Sequence, residues 1–320
     1  GGFPAKYGDR LSAVLDVTNK EGILERPFSL IANVNIANAN IVAQGKNPLS
    51  IPGSWIVSTR RTYYDLILAP FARKAGLITD DSSFPSFEDI QFKIALGPFK
   101  KSKFVINGIF SKDGVDIVPG AERTNPDSVN VNDVTSNNVL SVGWHYNPNP
   151  NFISKTTFSW YRNSGDNQFD GDIIDPLIDK ENLTPEQRDS LKLIGALLGF
   201  DFKSTYAFRK IALGNRSALI SGNNKFEFGG GIDIIRNDLT YALDLDEQFR
   251  AFLNSLPNTR ALLQDFNIQG KDNLRGSVYG MARFEIGQRF FYQPSLRVDY
   301  YSLLKKIYFS PRFNIGYAFN

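Results

Sequence analysis

Hydrophobic and polar residues alternate with a period of two over much of the chain. In KFEFGGGIDIIR, residues 225–236, one side of the strand carries Phe226, Phe228, Ile232 and Ile234, and the other side carries Lys225, Glu227 and Asp233. RFFYQPSLRVDYY at residues 289–301 and the segment from residue 307 onward repeat the pattern. Such alternation is typical of a β-strand with one apolar side and one water-facing side.

This alternation predicts about twelve strands, each long enough to cross a bilayer when tilted. They are two within Pro27–Gln44, then Ser54–Leu68, Asp89–Leu96, Lys103–Phe110, Val139–Tyr146, Phe152–Arg162, Phe202–Ile211, 225–236, Arg275–Ile286, 289–301 and 307–319.

The connections between these strands fall into two classes. Short ones are rich in Gly, Pro and Asn, as tight turns require, and lie at Lys46–Gly53, Gly97–Ser102, Asn147–Asn151 and Ile286–Gln288, with Gly214–Asn224 as a longer member. Long polar ones lie at Pro70–Glu88, Lys112–Asn137, Asp166–Asp201 and Ala242–Asn273. The sequence therefore predicts an all-β fold, an antiparallel transmembrane β-barrel with short periplasmic turns and long extracellular loops.

Two of the long loops contain helical patterns. One helix is predicted after Thr184, which is suited to an N-cap and is followed by Pro185 at the first helical position. The other is predicted over Leu245–Leu256, where apolar residues form one stripe. Such helices either close their loops or fold over the barrel mouth and contact a ligand.

Composition narrows the classes of function. The 36 Lys and Arg nearly balance 33 Asp and Glu, which argues against a nucleic-acid-binding surface. The absence of Cys excludes disulfides and thiol catalysis. The longest apolar run, Leu193–Phe200, is too short for a membrane helix. Aromatic residues are abundant, and Trp55, Trp144 and Trp160 are expected in an interfacial girdle near strand ends.

Candidate chemistry is sparse. His145 is the only histidine and lies on the strand face opposite Leu140, Val142 and Trp144, so we expect it to face the lumen, and no Ser and Asp are spaced to form a triad with it. The Asp-rich stretch Asp166–Asp175 matches no EF-hand spacing. The triple glycine Gly229–Gly231 lacks the helix of a phosphate loop and is interpreted as close strand packing. We expect no catalytic residue, no metal site and no cofactor; an outer-membrane phospholipase is rejected because its catalytic groups face lipid.

The opening stretch GGFPAKYGDRLSAVLDVTNKEG carries a resemblance to a known family. It resembles the run that closes the plug domain of TonB-dependent outer-membrane receptors, at Gly1, Gly2, Pro4, Tyr7, Gly8, Arg10, Ser12, Val14, Asp16 and Gly22. RRTY at residues 60–63 resembles an element of the family's third strand, and residues 285–303 and 308–319 look like later strands of its carboxypeptidase-regulatory-like branch. Within the opening stretch, Ser12–Val17 is expected to form a short strand.

The resemblance implies two parts: residues 1–24 as the C-terminal end of a plug, and residues 25–320 as the N-terminal portion of a barrel of about 22 strands. It implies TonB-dependent active uptake of a scarce nutrient across the outer membrane. The expected partners are the TonB complex, an unidentified nutrient, the lipid bilayer and, in this branch, a surface lipoprotein. Arg60, Arg61 and His145 are the candidate contacts with lumen or plug.

Two alternatives stay open at this point. A passive outer-membrane pore of about twelve strands would show the same alternation but would need no plug. A soluble β-sandwich that binds a ligand would also alternate, and would fold without detergent.

Overall fold

The computed structural model describes residues 3–8, 13–48, 50–63, 71, 74–75, 85–117, 128–174, 197–256, 266–287 and 289–318. These residues form one antiparallel β-sheet and one α-helix.

The strands are β1 (Ser29–Val34), β2 (Asn38–Lys46), β3 (Gly53–Thr62), β4 (Ser86–Phe99), β5 (Ser102–Ile117), β6 (Ser128–Asn149), β7 (Phe152–Ile174), β8 (Leu197–Ser221), β9 (Asn224–Leu245), β10 (Phe266–Ile268), β11 (Asn273–Ile286), β12 (Phe290–Tyr301) and β13 (Lys306–Tyr317). The helix α1 spans Glu247–Ser255.

Every strand pairs antiparallel with a neighbour in sequence. The order in the sheet runs from β1 to β9 and continues through β11, β12 and β13, while the short β10 pairs with β9. The predicted antiparallel all-β organisation is confirmed, and about twelve predicted strands correspond to thirteen in the sheet.

The two faces of the sheet differ in polarity, as the alternation predicts. We call the face that contacts residues 3–24 the inner face and the opposite one the outer face. On the outer face, Phe158 is 50% exposed, Val278 60% and Phe309 69%. No second sheet covers these side chains within the described ranges. A β-sandwich would bury such residues between two sheets, so this sheet lacks the layer that the soluble alternative requires.

Several strands extend beyond their predicted bounds into stretches that the sequence analysis treated as loops. β5 continues to Ile117 and β6 begins at Ser128. These extensions are largely polar on the outer face and use side-chain hydrogen bonds between strands. Asn163 donates to Asn137 at 2.7 Å, and Asn130 donates to Asp170 at 2.6 Å. The outer face loses its apolar residues there, so the sequence no longer shows the alternation that marks a strand.

The predicted connection Gly214–Asn224 is wrong, because β8 continues to Ser221 and the turn is only Gly222 and Asn223. Asn215 and Ser217 interrupt the apolar pattern of the outer face. Asn215 donates to Ser154 (3.0 Å) and Thr156 (2.9 Å) on β7, so the polar groups are satisfied within the sheet. The break in pattern is therefore a local hydrogen-bonded cluster and not a loop.

Two further predictions meet different outcomes. Residues 13–17 are not in a strand; Leu15 is 88% exposed there. The second predicted helix is confirmed as α1, which begins after Asp246, whose carboxylate accepts the backbone N–H of Phe249 at 2.7 Å. The helix predicted after Thr184 lies outside the described residues.

Within the described part of the chain, no helix has the length and apolar character needed to cross a membrane.

Candidate functional site on the inner face

The described parts of the N-terminal segment, residues 3–8 and 13–24, lie on the inner face and are held at both ends of the segment. At the first end, Arg312 of β13 donates from Nη1 to the carbonyl oxygens of Phe3 (2.8 Å), Pro4 (3.0 Å) and Tyr7 (3.1 Å). Three carbonyls that converge on one guanidinium are a charge-assisted arrangement. The turn that presents them is closed by a hydrogen bond from Tyr7 N to Pro4 O at 3.0 Å.

A buried ion pair lies beneath the same turn. Arg297 and Asp299 of β12 have side chains only 8% and 7% exposed, and Arg297 Nη2 lies 2.7 Å from Asp299 Oδ1. Arg297 Nη1 also donates to Ala5 O at 3.3 Å, and Ala5 is fully buried. The guanidinium packs so closely on Gly8 that a Cβ there would lie 2.5 Å from Arg297 Nε. Only glycine fits this approach.

Tyr7 links the turn to the rest of the segment. Its hydroxyl donates to Asp16 Oδ2 at 3.0 Å, and Arg216 of β8 lies 5.6 Å from the ring centroid. Burial first, and then the hydrogen bond to Asp16, raises the pKa of Tyr7 above its ordinary value. The hydroxyl therefore keeps its proton, and the bond to Asp16 is retained throughout the neutral range.

The other end of the segment lies on β4 and β5. Lys93 Nζ donates to Asn19 O at 2.7 Å, and Lys103 Nζ contacts Glu21 Oε1 at 2.6 Å. At Gly22 the segment approaches β3 so closely that a Cβ would lie 2.1 Å from Trp55 O. The segment is thus bound to strands β3–β5 at one end and to β12–β13 at the other.

A polar pocket of about 450 Å³ lies between the turn and strands β7–β12. Its basic lining residues are Lys6, Lys155, Lys210, Arg216, Arg275 and Arg297. Asp233 pairs with Lys210 (3.3 Å) and with Arg275, and Asp299 pairs with Arg297. Among the described residues, Lys155 and Arg216 have no carboxylate in ion-pair contact. Because a concave site with uncompensated cations concentrates anions, this pocket is suited to a carboxylate or phosphate group.

Aromatic side chains line the inner face beyond this pocket, towards the long connections. Tyr161 and Phe208 have ring centroids 5.7 Å apart. Phe202 lies 5.7 Å from Phe169 and 5.1 Å from Tyr241. These rings give the inner wall an apolar stretch above the basic pocket.

The structure places the residues suggested by the sequence in different positions. Pro4, Tyr7, Gly8 and Asp16 belong to the docked segment, and Arg60 faces inward, where it pairs with Asp89 at 2.8 Å. Gly2 and Arg10 lie outside the described residues.

Arg61 and His145 lie on opposite faces. Arg61 is exposed on the outer face of β3, on the opposite side of the strand from Arg60, so its side chain is directed away from the lumenal face on which we expected it. His145 lies on the inner face between its register partners Lys103 and Lys155.

The described part of the Asp-rich stretch, residues 166–174, contains no metal-binding cluster. Within the described ranges no three acidic or histidine side chains converge to hold a metal ion. Asp170 instead accepts the hydrogen bond from Asn130. Asp175 lies outside the described residues.

Sequence reasoning missed the side chains that hold the segment, namely Lys93, Lys103, Arg297 and Arg312. Each stands at a polar position of an alternating strand, so the pattern placed it on the wet face and gave no sign of its partner. Arg312 and Phe3 are separated by 309 residues, and only the fold brings them together.

Comparison with known proteins yields no family-model match and no match among curated proteins. Among solved structures, the chain is similar to the RagAB peptide importer in an open-open state, with 8% identity, 86% of this chain and 33% of that chain covered, and a TM-score of 0.50. A second RagAB peptide transporter structure gives 9% identity and a TM-score of 0.49 over 87% of this chain and 33% of that one. The ferric citrate transporter FecA in its unliganded form gives 11% identity and a TM-score of 0.40, over 90% of this chain and 40% of that one.

The chain spans about a third of the length of the first two solved chains. At this identity the likeness to the importer shows the fold alone. It confirms the predicted class, an antiparallel outer-membrane β-barrel fold.

Proposed function

We propose that the chain is the end of a plug followed by part of the wall of a TonB-dependent outer-membrane transporter, and that the whole protein imports a scarce nutrient. The observation that carries the proposal is the docked N-terminal segment on a polar inner face, with an exposed apolar face opposite.

The outer face supports placement in a bilayer. On β7 the outer positions Phe152, Phe158 and Trp160 are apolar, and the row ends at Arg162. Ser154 and Thr156, which lie between them, have their polar groups satisfied by Asn215 within the sheet. Eight residue steps of about 3.3 Å at a tilt of about 40° span roughly 20 Å along the membrane normal. That height is close to the apolar band of an outer-membrane barrel, about 25 Å.

The edges of the sheet support a larger barrel. Within the described residues, β1 and β13 each have a strand neighbour on one side only. Unsatisfied backbone groups in hydrocarbon cost several kcal/mol each, roughly, so a membrane sheet must close. We propose that further strands complete the barrel, up to the total of about 22 that the sequence resemblance implies.

The docked segment favours a plugged transporter over an open pore. It crosses the inner face from β13 to β4 and is anchored by Arg312, Arg297, Lys93 and Lys103. A chain segment bound across the lumen has no role in a passive channel. In the plugged transporter, residues 1–24 are the C-terminal end of the plug and residues 25–320 form part of the barrel wall. Arg60 and His145 lie on the lumenal side of that wall.

The partners follow from the same proposal. The TonB complex would act through a plug region that precedes these residues, and a surface lipoprotein would act at the long-loop end. The solved structures of the same fold include a peptide importer and a ferric citrate transporter, so peptides and ferric chelates are the first nutrients to test. No step requires catalysis, a metal or a cofactor.

The test is energy-dependent uptake by cells that carry the full-length protein. A mixture of labelled oligopeptides and, separately, ferric citrate serve as probes, with and without a protonophore and in cells lacking TonB. The proposal predicts that uptake of at least one probe needs both the proton gradient and TonB. Uptake that persists without either would favour the passive pore. A protein that is folded and soluble without detergent would leave only the β-sandwich class.

A further inference from the structure

Three arginines lie side by side on the outer face, where its apolar band ends. Arg162 of β7, Arg209 of β8 and Arg236 of β9 are direct register partners across the two strand pairs. Cβ atoms of directly opposite residues lie about 4.5–5.5 Å apart. We call these three residues the arginine rung.

Like charges directly opposite each other destabilise a sheet, and the arginine rung is poorly compensated. Asp238 is the one carboxylate that contacts it within the described part of the chain, 3.3 Å from Arg209 Nη1 and 3.1 Å from Arg236 Nε. Arg162 is exposed and makes no ion pair among the described residues. Three positive charges therefore share one negative charge.

The same boundary on an earlier part of the sheet is built differently. There Arg61 of β3 is the register partner of Glu88 of β4, and Glu88 is the register partner of Lys112 of β5. Charges alternate in sign along that row, as sheet pairing favours. The contrast shows that alternating charge is available to this chain and is absent at the arginine rung.

One step towards the short turns, the outer face becomes apolar. Trp160, Ile211 and Ile234 are register partners there, and Ile211 and Ile234 are 45% and 43% exposed. Cations thus stand directly beside an exposed apolar row. A ligand with a phosphate group joined to acyl chains contacts both rows, whereas a free phosphate contacts only the arginines.

We propose that the arginine rung binds the phosphate group of an anionic lipid headgroup in the outer leaflet, with the lipid's acyl chains on the row of Trp160, Ile211 and Ile234. Guanidinium groups bind phosphate through paired hydrogen bonds, and the bound anion relieves the repulsion among the three arginines. The inference rests on the membrane placement proposed above. It does not depend on TonB or on the nutrient.

The test measures lipid retained by the full-length protein in nanodiscs of phosphatidylcholine with a minor fraction of phosphatidic acid. Retained lipid is identified by native mass spectrometry after transfer to detergent. We expect phosphatidic acid to be enriched on the unaltered protein. Each of Arg162→Gln and Arg209→Gln should lower its apparent affinity about tenfold, because a hydrogen bond to a charged group is lost.

Two further variants separate charge from folding. Arg162→Lys keeps the positive charge and should retain most of the binding. Lys225→Gln removes a cation from the inner face of β9, the strand that carries Arg236, and should leave lipid retention unchanged. Folding of every variant is checked by the shift in gel mobility of the unheated barrel.

The outcomes divide cleanly. Equal retention by the unaltered protein and by Arg162→Gln and Arg209→Gln, or loss on Lys225→Gln, overturns the proposal. Full displacement of the lipid by inorganic phosphate at comparable concentration also overturns it, because the acyl chains would then contribute nothing. Because lipid retention needs no transport, failed TonB-dependent uptake with intact retention would count against the proposed function alone.

Discussion

The buried pair beneath the N-terminal turn gives the sharpest prediction. Asp299→Asn would leave Arg297 at 8% exposure without its counter-charge, while its Nη1 still faces Ala5 O. Removing one member of a buried ion pair costs about 3–5 kcal/mol, since the remaining charge stays desolvated. We expect a loss of this size in the free energy of unfolding, together with release of the turn at residues 3–8.

The assay is urea unfolding of the full-length protein from lipid bilayers, combined with limited proteolysis of the N-terminal segment. Asp201→Asn is the matched control, because Asp201 pairs with Lys203 at a site where the two side chains are 36% and 55% exposed. That substitution should cost at most about 1 kcal/mol.

A double variant tests the reasoning more strictly. Arg297→Met combined with Asp299→Leu replaces the buried pair by apolar side chains, which is often neutral or stabilising. The double variant should therefore be more stable than Asp299→Asn alone, although it loses the hydrogen bond to Ala5 O. If Asp299→Asn unfolds like the unaltered protein, or if the double variant is the least stable, the pair is not the buried unit described here.

Three smaller effects follow from other contacts. Glu21→Gln removes the partly exposed ion pair with Lys103, so we expect a loss below about 1 kcal/mol, and the salt dependence of N-terminal proteolysis should decrease. Gly8→Ala places a Cβ 2.5 Å from Arg297 Nε and should cost about 1–3 kcal/mol, measured by thermal unfolding. Asp246→Ala removes the N-cap of α1 and the acceptor of the Gly199 backbone N–H in β8, and should cost about 1–2 kcal/mol, seen as faster amide exchange in α1 and at Gly199.

Each of these has a control within the chain. Glu25→Gln changes an acid directly after the segment that accepts only a local backbone hydrogen bond from Leu24, and should leave salt dependence intact. Gly276→Ala adds a Cβ with no atom within 4 Å, and should be near neutral. Faster exchange throughout β8 and β9 in Asp246→Ala would contradict a purely local role for the cap.

The part of the sheet with an apolar outer face was predictable because a strand with one apolar face gives a regular alternation in the sequence. The alternation predicted a strand at Asp89–Leu96, which is the central part of β4. The helix α1 lies within the bounds predicted for the second helix. Beyond the apolar band this alternation is lost, so the polar extensions of β5 to β8 were interpreted as loops. The polar residues Asn215 and Ser217 predict a connection for a related reason: the sequence around them does not show their hydrogen-bond partners, which lie 59 to 63 residues earlier.

The candidate site was predictable only in outline. Alternation placed His145 on the inner face, but treating Arg60 and Arg61 as one lumenal patch ignored that adjacent strand residues point to opposite sides. The anchoring contacts of Arg312 and Arg297 join residues about 300 positions apart in sequence. The arginine rung likewise depends on the register of three strands, which no single stretch of sequence contains.

The order of strands also bears on how such a wall is assembled. Because each strand from β1 to β9 hydrogen-bonds to the next one in the chain, the wall can grow as successive hairpins, each docking on an edge already in place. Contacts with low sequence separation close small loops and form quickly. The contacts between Arg312 and the first described residues instead join positions about 300 residues apart, so they should be among the last to form. The N-terminal segment would then close the lumen only after the last described strand is in place.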